Sequence, residues 1–274
     1  MRSTPAEPAL DPTLTRSFAS CLPGGRLAGP LRAYGSVGST QTLARAWADA
    51  GAPEGAVVLA DHQTAGRGRR GRPWTAPAGT SLLVSVVLRP PFPVVRWPEI
   101  PMAAGCAVAE AVEAVAQVSV RLKWPNDVLV EGRKAGGILA EGVAGSSSHP
   151  SLVVLGIGVN VSQGEAAWPA ELAGRARSLA GLAASVTREH LLAVILARLD
   201  AWYAVLLETG FESVRAAWRE RGVLGTPLGL AGGVGTAVDI GPHGELVARD
   251  EEGRTVLVVT EGEGRPERVR VESR

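Results

Sequence analysis

The chain has 274 residues, 46% of them hydrophobic, with 28 basic against 27 acidic side chains and a formal net charge of +1. That composition excludes a disordered chain and leaves material for one large domain plus a smaller one, while the balanced charge excludes a global attraction to nucleic acid. No apolar run approaches the roughly twenty residues of a membrane span, and Met1-Arg2-Ser3-Thr4-Pro5 lacks the apolar core of a signal peptide, so the expected location is the cytoplasm with no membrane partner.

The first thirty or so residues are rich in Pro, Ala and Gly, with one short helix predicted between Pro12 and Leu22. Gly38-Ser39-Thr40 precedes a helix over 41–50 that Gly51 closes, and Ser39 or Thr40 is placed to cap its first turn. A strand over 57–60 leads into Gly66-Arg67-Gly68-Arg69-Arg70-Gly71-Arg72-Pro73-Trp74. Its glycines permit positive φ and close backbone approach, and its arginines supply paired donors matched to phosphate or carboxylate. The same run is compatible with a solvated charged loop, and Arg70-Gly71-Arg72-Pro73 also looks like a minor-groove hook. Its position between the apolar runs 57–60 and 82–88 favours an enclosed anion-gripping loop.

A strand over 81–88 ends at Arg89-Pro90-Pro91, and a helix is predicted over 101–117 with Glu110 and Glu113 on its wetter side. Strands at 120–123 and 128–130 flank Lys123-Trp124-Pro125-Asn126-Asp127, a turn that either presents Lys123 to an anion or leaves it solvated. Glu131-Gly132-Arg133 turns the chain into a strand over 135–143, which pairs across a Gly/Ser-rich loop with 151–161. Gly156-Ile157-Gly158-Val159-Asn160 lacks the third glycine of a dinucleotide fingerprint, and a P-loop is absent. Those glycines suit a flat ligand lying on the sheet, or a β-bulge. Thr187 caps a long helix over 188–207 with a stripe of Leu191, Val194, Ile195, Leu199, Trp202 and Leu206. A helix over 211–221 stops at Gly222, and four short strands over 227–230, 236–240, 245–249 and 255–260 follow.

Cys21 and Cys106 read as reduced and structural, and His62, His149, His190 and His243 have no metal-ligand spacing, so no direct protein ligation of a metal is expected. The predicted fold class is α+β, a mixed β-sheet flanked by helices with a small C-terminal β-domain. The predicted divisions are an N-terminal extension at 1–30, a catalytic unit at 31–222 and a small β-unit at 223–274.

Four segments in order, Gly38-Ser39-Thr40, Gln63 with Gly66 to Gly71 and Trp74, Lys123 to Asp127, and Lys134 to Glu141 with Gly156 to Asn160, together resemble biotin protein ligase. The resemblance runs from about 35 to 271. It implies a class II synthetase-like ligase core with an SH3-like C-terminal barrel, of the monofunctional type that lacks the N-terminal DNA-binding domain. The implied reaction converts biotin and MgATP to biotinyl-5′-adenylate and pyrophosphate, then passes biotin to one lysine of a biotin carboxyl carrier protein such as that of acetyl-CoA carboxylase. By the same resemblance Ser39, Thr40, Gln63, Gly66, Arg67, Gly68, Arg69, Lys123, Gly137 and Gly158 contact biotin. Arg69, Arg72, Trp74, Lys123 and Asn160 contact the nucleotide, and Lys123 and Arg69 carry the catalytic charge. ATP, Mg²⁺ and biotin are the implied small molecules, no nucleic acid is expected as a partner, and the assembly is a monomer or homodimer. The motif departs from the family in having Gln41 where Asn is usual and Lys134-Ala135-Gly136-Gly137 where Lys-Leu-Ala-Gly is common. A lipoate or octanoate ligase and an A·T-hook module are the competing readings.

Overall fold

The computed structural model describes residues 8–145, 151–183, 186–230, 233–259 and 268–269. His149 in the Gly/Ser-rich loop and the end of the predicted last strand at Thr260 lie outside the described residues.

Helix α1 (Pro12–Ala19) starts on Asp11, whose carboxylate accepts from the backbone N–H groups of Thr13 and Leu14, with Pro12 at the first helical position. Strand β1 (Leu31–Val37) leads to α2 (Thr40–Asp49), which ends on Gly51 at φ +95°. The Gly51 and Ala52 N–H groups return to the carbonyls of Ala48 and Trp47, the paired bonds of a Schellman stop. Next come β2 (Val57–Gln63), β3 (Ser81–Leu88) and α3 (Glu99–Ala116). The last begins two residues before the predicted start, because Glu99 is buried and held bidentately by Arg96. Strands β4 (Val120–Lys123), β5 (Asp127–Val130), β6 (Arg133–Val143) and β7 (Leu152–Asn160) complete a seven-stranded sheet ordered β1-β2-β3-β7-β6-β5-β4, with only β1 and β2 parallel. This is the mixed sheet expected from sequence. The bulge suggested for 156–160 is absent, since β7 runs in unbroken register with both neighbours, and falls instead between Val128 and Leu129.

Side-chain alternation divides the sheet into two faces. One face, with Leu82, Val84, Val86, Leu155, Ile157 and Val159, packs on α3, on α4 (Arg188–Glu208) and on α5 (Glu212–Arg221). The other packs β2, β3 and the start of β7 on α2 through Val58, Ala60, Val87, Val154, Ala44 and Ala48, and leaves the β6–β5–β4 end without a helix above it among the described residues. That uncovered half carries the site.

Thr187 caps α4 by accepting from the His190 N–H, as the sequence predicts. The buried stripe is rotated from the expected one: Leu192, Leu196 and Tyr203 join it, whereas Val194 and Trp202 are only half-buried and the Trp202 Nε1 donates to Glu110. Against expectation, α4 is by length and composition apolar enough to cross a membrane. Arg198 and Asp200 break its apolar runs in the linear sequence, and in the fold its buried stripe lies against α3.

At the C-terminus β8 (Pro227–Leu230), β9 (Gly233–Ile240), β10 (Leu246–Asp250), β11 (Thr255–Val258) and β12 (Arg268–Val269) form an antiparallel meander in the order β12-β11-β10-β9-β8. The predicted set lacked β12. The apolar side chains of this sheet, Ala237, Ile240, Leu246 and Ala248, join the core beneath α3 and α5. The sheet is also fastened by the Arg219–Asp239 ion pair. Hydrogen bonding from Arg219, opposed by burial and assisted by the Ile240 N–H, holds Asp239 below the usual carboxylate range. A depressed carboxylate stabilises the fold above its unfolded pKa of about 3.9 and loses that contribution as pH falls through the folded value. Asp239→Asn is therefore expected to lower Tm at pH 7 and to flatten its fall below about pH 4. A melting series in acid that superimposes on that of the parent would contradict this.

Candidate active site

Strand register builds the floor of a groove on the uncovered face. Lys123, Asp127, Gly137, Gly158 and Leu83 are successive cross-strand partners from β4 to β3, so they form one row on one face. At about 4.8 Å per strand, Lys123 and Gly158 lie roughly 14 Å apart. A parallel row, Leu139, Gly156 and Ser85, runs beside it towards α2. The paired glycines remove side chains from the middle of the floor, and other groups occupy that space. A Cβ on Gly158 would lie 2.8 Å from Trp74 Cε2 and Cζ2, and one on Gly137 would lie 3.1 Å from Trp74 Cζ3 and 3.4 Å from Lys134 Nζ. The Trp74 indole thus rests flat on the glycines. Its Nε1 is buried without a partner.

Lys134 bonds to Asp127 at 2.6 Å, and its Nζ stands 5.7 Å from the Trp74 ring centre. Arg69 of the arginine loop is within reach of the Asp127 charge. Its guanidinium is pushed below the usual arginine range first by burial and then by the charge of Arg70, with Asp127 opposing the shift. The loop that carries it is an ordered hairpin: Gly68 N–H donates to Arg72 O, Trp74 N–H donates to Gly66 O, and Arg67 bridges Pro73. Only Gly71, at φ +67°, uses positive φ among the loop glycines, following Arg70 at φ 58°. Gly66 serves close approach, since a Cβ there would fall 2.4 Å from Trp74 O.

The other end of the groove lies under the start of α2. Ser39 sits at the cap position but its side chain makes no capping bond. Gln63 Oε1 takes over, accepting from the Thr40 N–H at 2.8 Å and from Thr40 Oγ1 at 3.1 Å, while Ser85 Oγ donates to Thr40 Oγ1. The expected local cap therefore comes from a distant strand, and Ser39 Oγ is left buried without a partner. Arg67 reaches Glu141 at 3.4 Å, and Glu141 also accepts from Gln41 Nε2.

The groove so assembles Ser39, Thr40, Gln63, Gly66, Arg69, Trp74, Gly137 and Gly158, with Lys123 exposed at the end of its row. Arg67, Gly68 and Arg72 belong to the covering hairpin, and Arg72 is exposed. Asn160 is buried, its amide donating to the carbonyls of Lys134 and Arg177 and its Oδ1 accepting from Ser81 Oγ. Lys134, Asp127 and Glu141 are groove residues to which the sequence reading gave no contact, while Gly156 and Gln41, noted there without a site role, also line the groove. Among the described residues no three His, Cys, Asp or Glu side chains converge.

A cation-rimmed, glycine-floored groove on a mixed sheet, overhung by an arginine hairpin, has the make-up of an enzyme site for anionic ligands. Residues 35–160 match the biotin/lipoate A/B protein ligase family model. The chain is 40% identical over 233 residues to the biotin–[acetyl-CoA-carboxylase] ligase of Mycobacterium tuberculosis, covering 81% of this chain and 83% of that protein. It is 35% identical over 228 residues to the bifunctional ligase/repressor BirA of Bacillus spizizenii, covering 82% of this chain and 68% of that one. The biotin protein ligase of Aquifex aeolicus solved with biotin and ATP superimposes with a TM-score of 0.72 at 29% identity, over 87% of this chain and 99% of that one. The chain belongs to the biotin/lipoate A/B protein ligase family, on its biotin protein ligase branch.

Proposed function

We propose that this protein activates biotin with ATP to biotinyl-5′-adenylate, releasing pyrophosphate, and then acylates one lysine of a biotin carboxyl carrier domain. The observation that carries the reading is the groove floor: a flat glycine track with unpartnered polar atoms at one end and converging cations at the other. Ser39, Thr40 and Gln63 are placed to take the ring's polar edge, and Gly137 and Gly158 let Trp74 lie low on the floor, so that the side chain passes alongside the indole. Lys134 and Arg69, with Lys123 at the outer end of the row, face the carboxylate and the phosphates.

A carboxylate is a competent nucleophile at neutral pH, so no nucleophile–base pair is required. The obstacle is repulsion between the carboxylate and the triphosphate. Lys134, Arg69 and Lys123 offset it and stabilise charge building at the α-phosphorus as pyrophosphate leaves. Trp74 supplies a flat wall for adenine. The arginine hairpin excludes water from the mixed anhydride until the carrier's amine attacks the acyl carbon and AMP departs. Mg²⁺ suits this donor set as an ion carried in on the phosphates, because it keeps few protein ligands. Asp127, the carboxylate on the groove floor, is the residue that would hold it, and the ion would neutralise phosphate charge.

The direct test follows pyrophosphate release from purified protein given MgATP with biotin or lipoate, then label transfer to a carrier domain. Release with biotin alone is expected; release with lipoate and not biotin would overturn the proposal. Gly158→Ala probes the floor. Its methyl has no room unless the rigid Trp74 ring lifts, so KM for both biotin and ATP is expected to rise about tenfold with Tm nearly unchanged, the size of effect that a small steric change in a pocket produces. Unchanged KM values would show that Trp74 does not wall the site.

A further inference from the structure

We infer that this chain carries no lysine that its own acyl-adenylate could acylate, so that the carrier's amine meets no competitor on the enzyme. This rests on the biotin reading and concerns the acceptor side of the same site. Of the 28 basic residues 26 are arginine, and only Lys123 and Lys134 are lysine, although lysine is among the commonest residues of soluble domains. Both lie at the groove, where the proposed chemistry needs an ammonium.

Packing does not account for the arginines. Arg96, Arg215 and Arg219 grip a carboxylate with two nitrogens, which only the planar fork allows. Arg16, Arg70, Arg72 and Arg175 are different, because they are exposed and their side chains make no hydrogen bond or ion pair among the described residues. A lysine would carry those charges equally well. Arg70 and Arg72 stand on the hairpin over the groove, and Arg175 stands on the segment that pairs with Lys134, whose N–H donates to Arg175 O.

The choice has a chemical consequence. When a free amine bonds to the acyl carbon of the mixed anhydride, the C–O bond to phosphate breaks, AMP leaves with the electron pair, and the amine's proton passes to water. A guanidinium stays charged and has no lone pair to offer. An exposed lysine, with a pKa of about 10.4, is a free amine in roughly one side chain in 10³ near neutral pH. Tethered beside the groove, it would meet the adenylate at a local concentration on the order of millimolar. The two lysines that remain are placed not to attack. Asp127 holds Lys134 Nζ at 2.6 Å and accepts its ammonium hydrogens, and Lys123, at the outer end of the row, faces the phosphates in the proposed arrangement.

The parent and three variants, Arg70→Lys, Arg175→Lys and Arg16→Lys, are incubated with biotin and MgATP without a carrier. Pyrophosphate is followed, and the number and position of attached biotins are read by mass spectrometry. The first two positions border the groove, whereas Arg16 is on α1, packed on β1 four strands from β6, roughly 19 Å at about 4.8 Å per strand. The parent is expected to release pyrophosphate and stay unlabelled. R70K and R175K are expected to gain one biotin at the new position at least about tenfold faster than R16K, through the local concentration of adenylate. A second arm gives the same proteins a preactivated biotin ester without ATP, which shows that the introduced amines react. Biotin on Lys123 or Lys134 of the parent from biotin and MgATP overturns the inference. So do variants that react with the ester but stay unlabelled during turnover, and R175K carries this test should R70K not fold. Absence of pyrophosphate from the parent sinks the biotin reading and the inference together, whereas pyrophosphate release with self-labelling of the parent sinks the inference alone.

Discussion

Replacing Lys134 with alanine is expected to lower kcat/KM for biotin adenylation by about 10²–10³-fold, the usual loss when one preorganised charge-stabilising donor is removed. Its position makes it the central cation of the groove. The ammonium lies over Gly137, beside the Trp74 ring and against Asp127, where the floor is bare of other side chains. Lys123 occupies the same row beyond Asp127 and is exposed, so Lys123→Ala is expected to act mainly through KM for ATP, by about tenfold, as an outer charge screened by solvent would. Neither change should unfold the protein, because the Lys134–Asp127 pair is partly exposed, at 38% and 28%, and such pairs contribute about 0–1 kcal/mol. Steady-state pyrophosphate release and thermal melts on both variants check this. Equal losses in kcat for the two lysines, or a larger one for Lys123, would place the reacting phosphorus nearer β4 than the site proposed above.

The order of these two lysines shows what the linear sequence can and cannot carry. The sheet, its helices and most strand limits follow from apolar periodicity and turn residues, and the motifs at 39–40, 63–74, 123–127 and 156–160 mark the groove. Lys134 escapes notice because a regular two-residue hairpin at Glu131-Gly132 would send it to the opposite face from Gly137. The pairing skips Ala135, which is buried in the core, so Lys134 opposite Leu129 and Gly137 opposite Asp127 share one face. A bulge leaves no fixed signature at Ala135, so the face of Gly137 is settled only by the pairing. The cap of α2 is similar. Ser39 has the right chemistry in the right place, yet Gln63, 23 residues beyond Thr40, supplies the acceptor, because parallel pairing of β1 with β2 sets Val37 beside Gln63. Glu141 and Gln41 gain their roles through contacts of this long-range kind.

Truncating Trp218 to alanine is expected to produce the largest loss of stability, about 3–5 kcal/mol by the usual cost of emptying a large aromatic site. Trp218 on α5 is 1% exposed, and its ring lies against α3 at Gly105, where a Cβ would come within 3.0 Å of Cζ2. Its Nε1 donates to Met102 O at 2.7 Å. The substitution would open a cavity between two helices and remove the partner of a buried carbonyl together. Around this contact the C-terminal sheet is fastened to the rest of the chain: Arg219 pairs with Asp239, Arg215 donates to Ile240 O, and the Val223 N–H donates to Leu122 O on the strand that ends in Lys123. Trp124 Nε1 also donates to Gly244 O, joining the turn after Lys123 to the β9–β10 hairpin. Loosening α5 should therefore reach the groove as well as the core. For a chain of this size the Tm is expected to fall by roughly 6–20 °C, with KM for ATP rising at temperatures where the protein is still folded. A lowered Tm with unaltered ATP kinetics would show that the C-terminal sheet supports stability alone, and that the Lys123–Asp127 turn keeps its geometry without it.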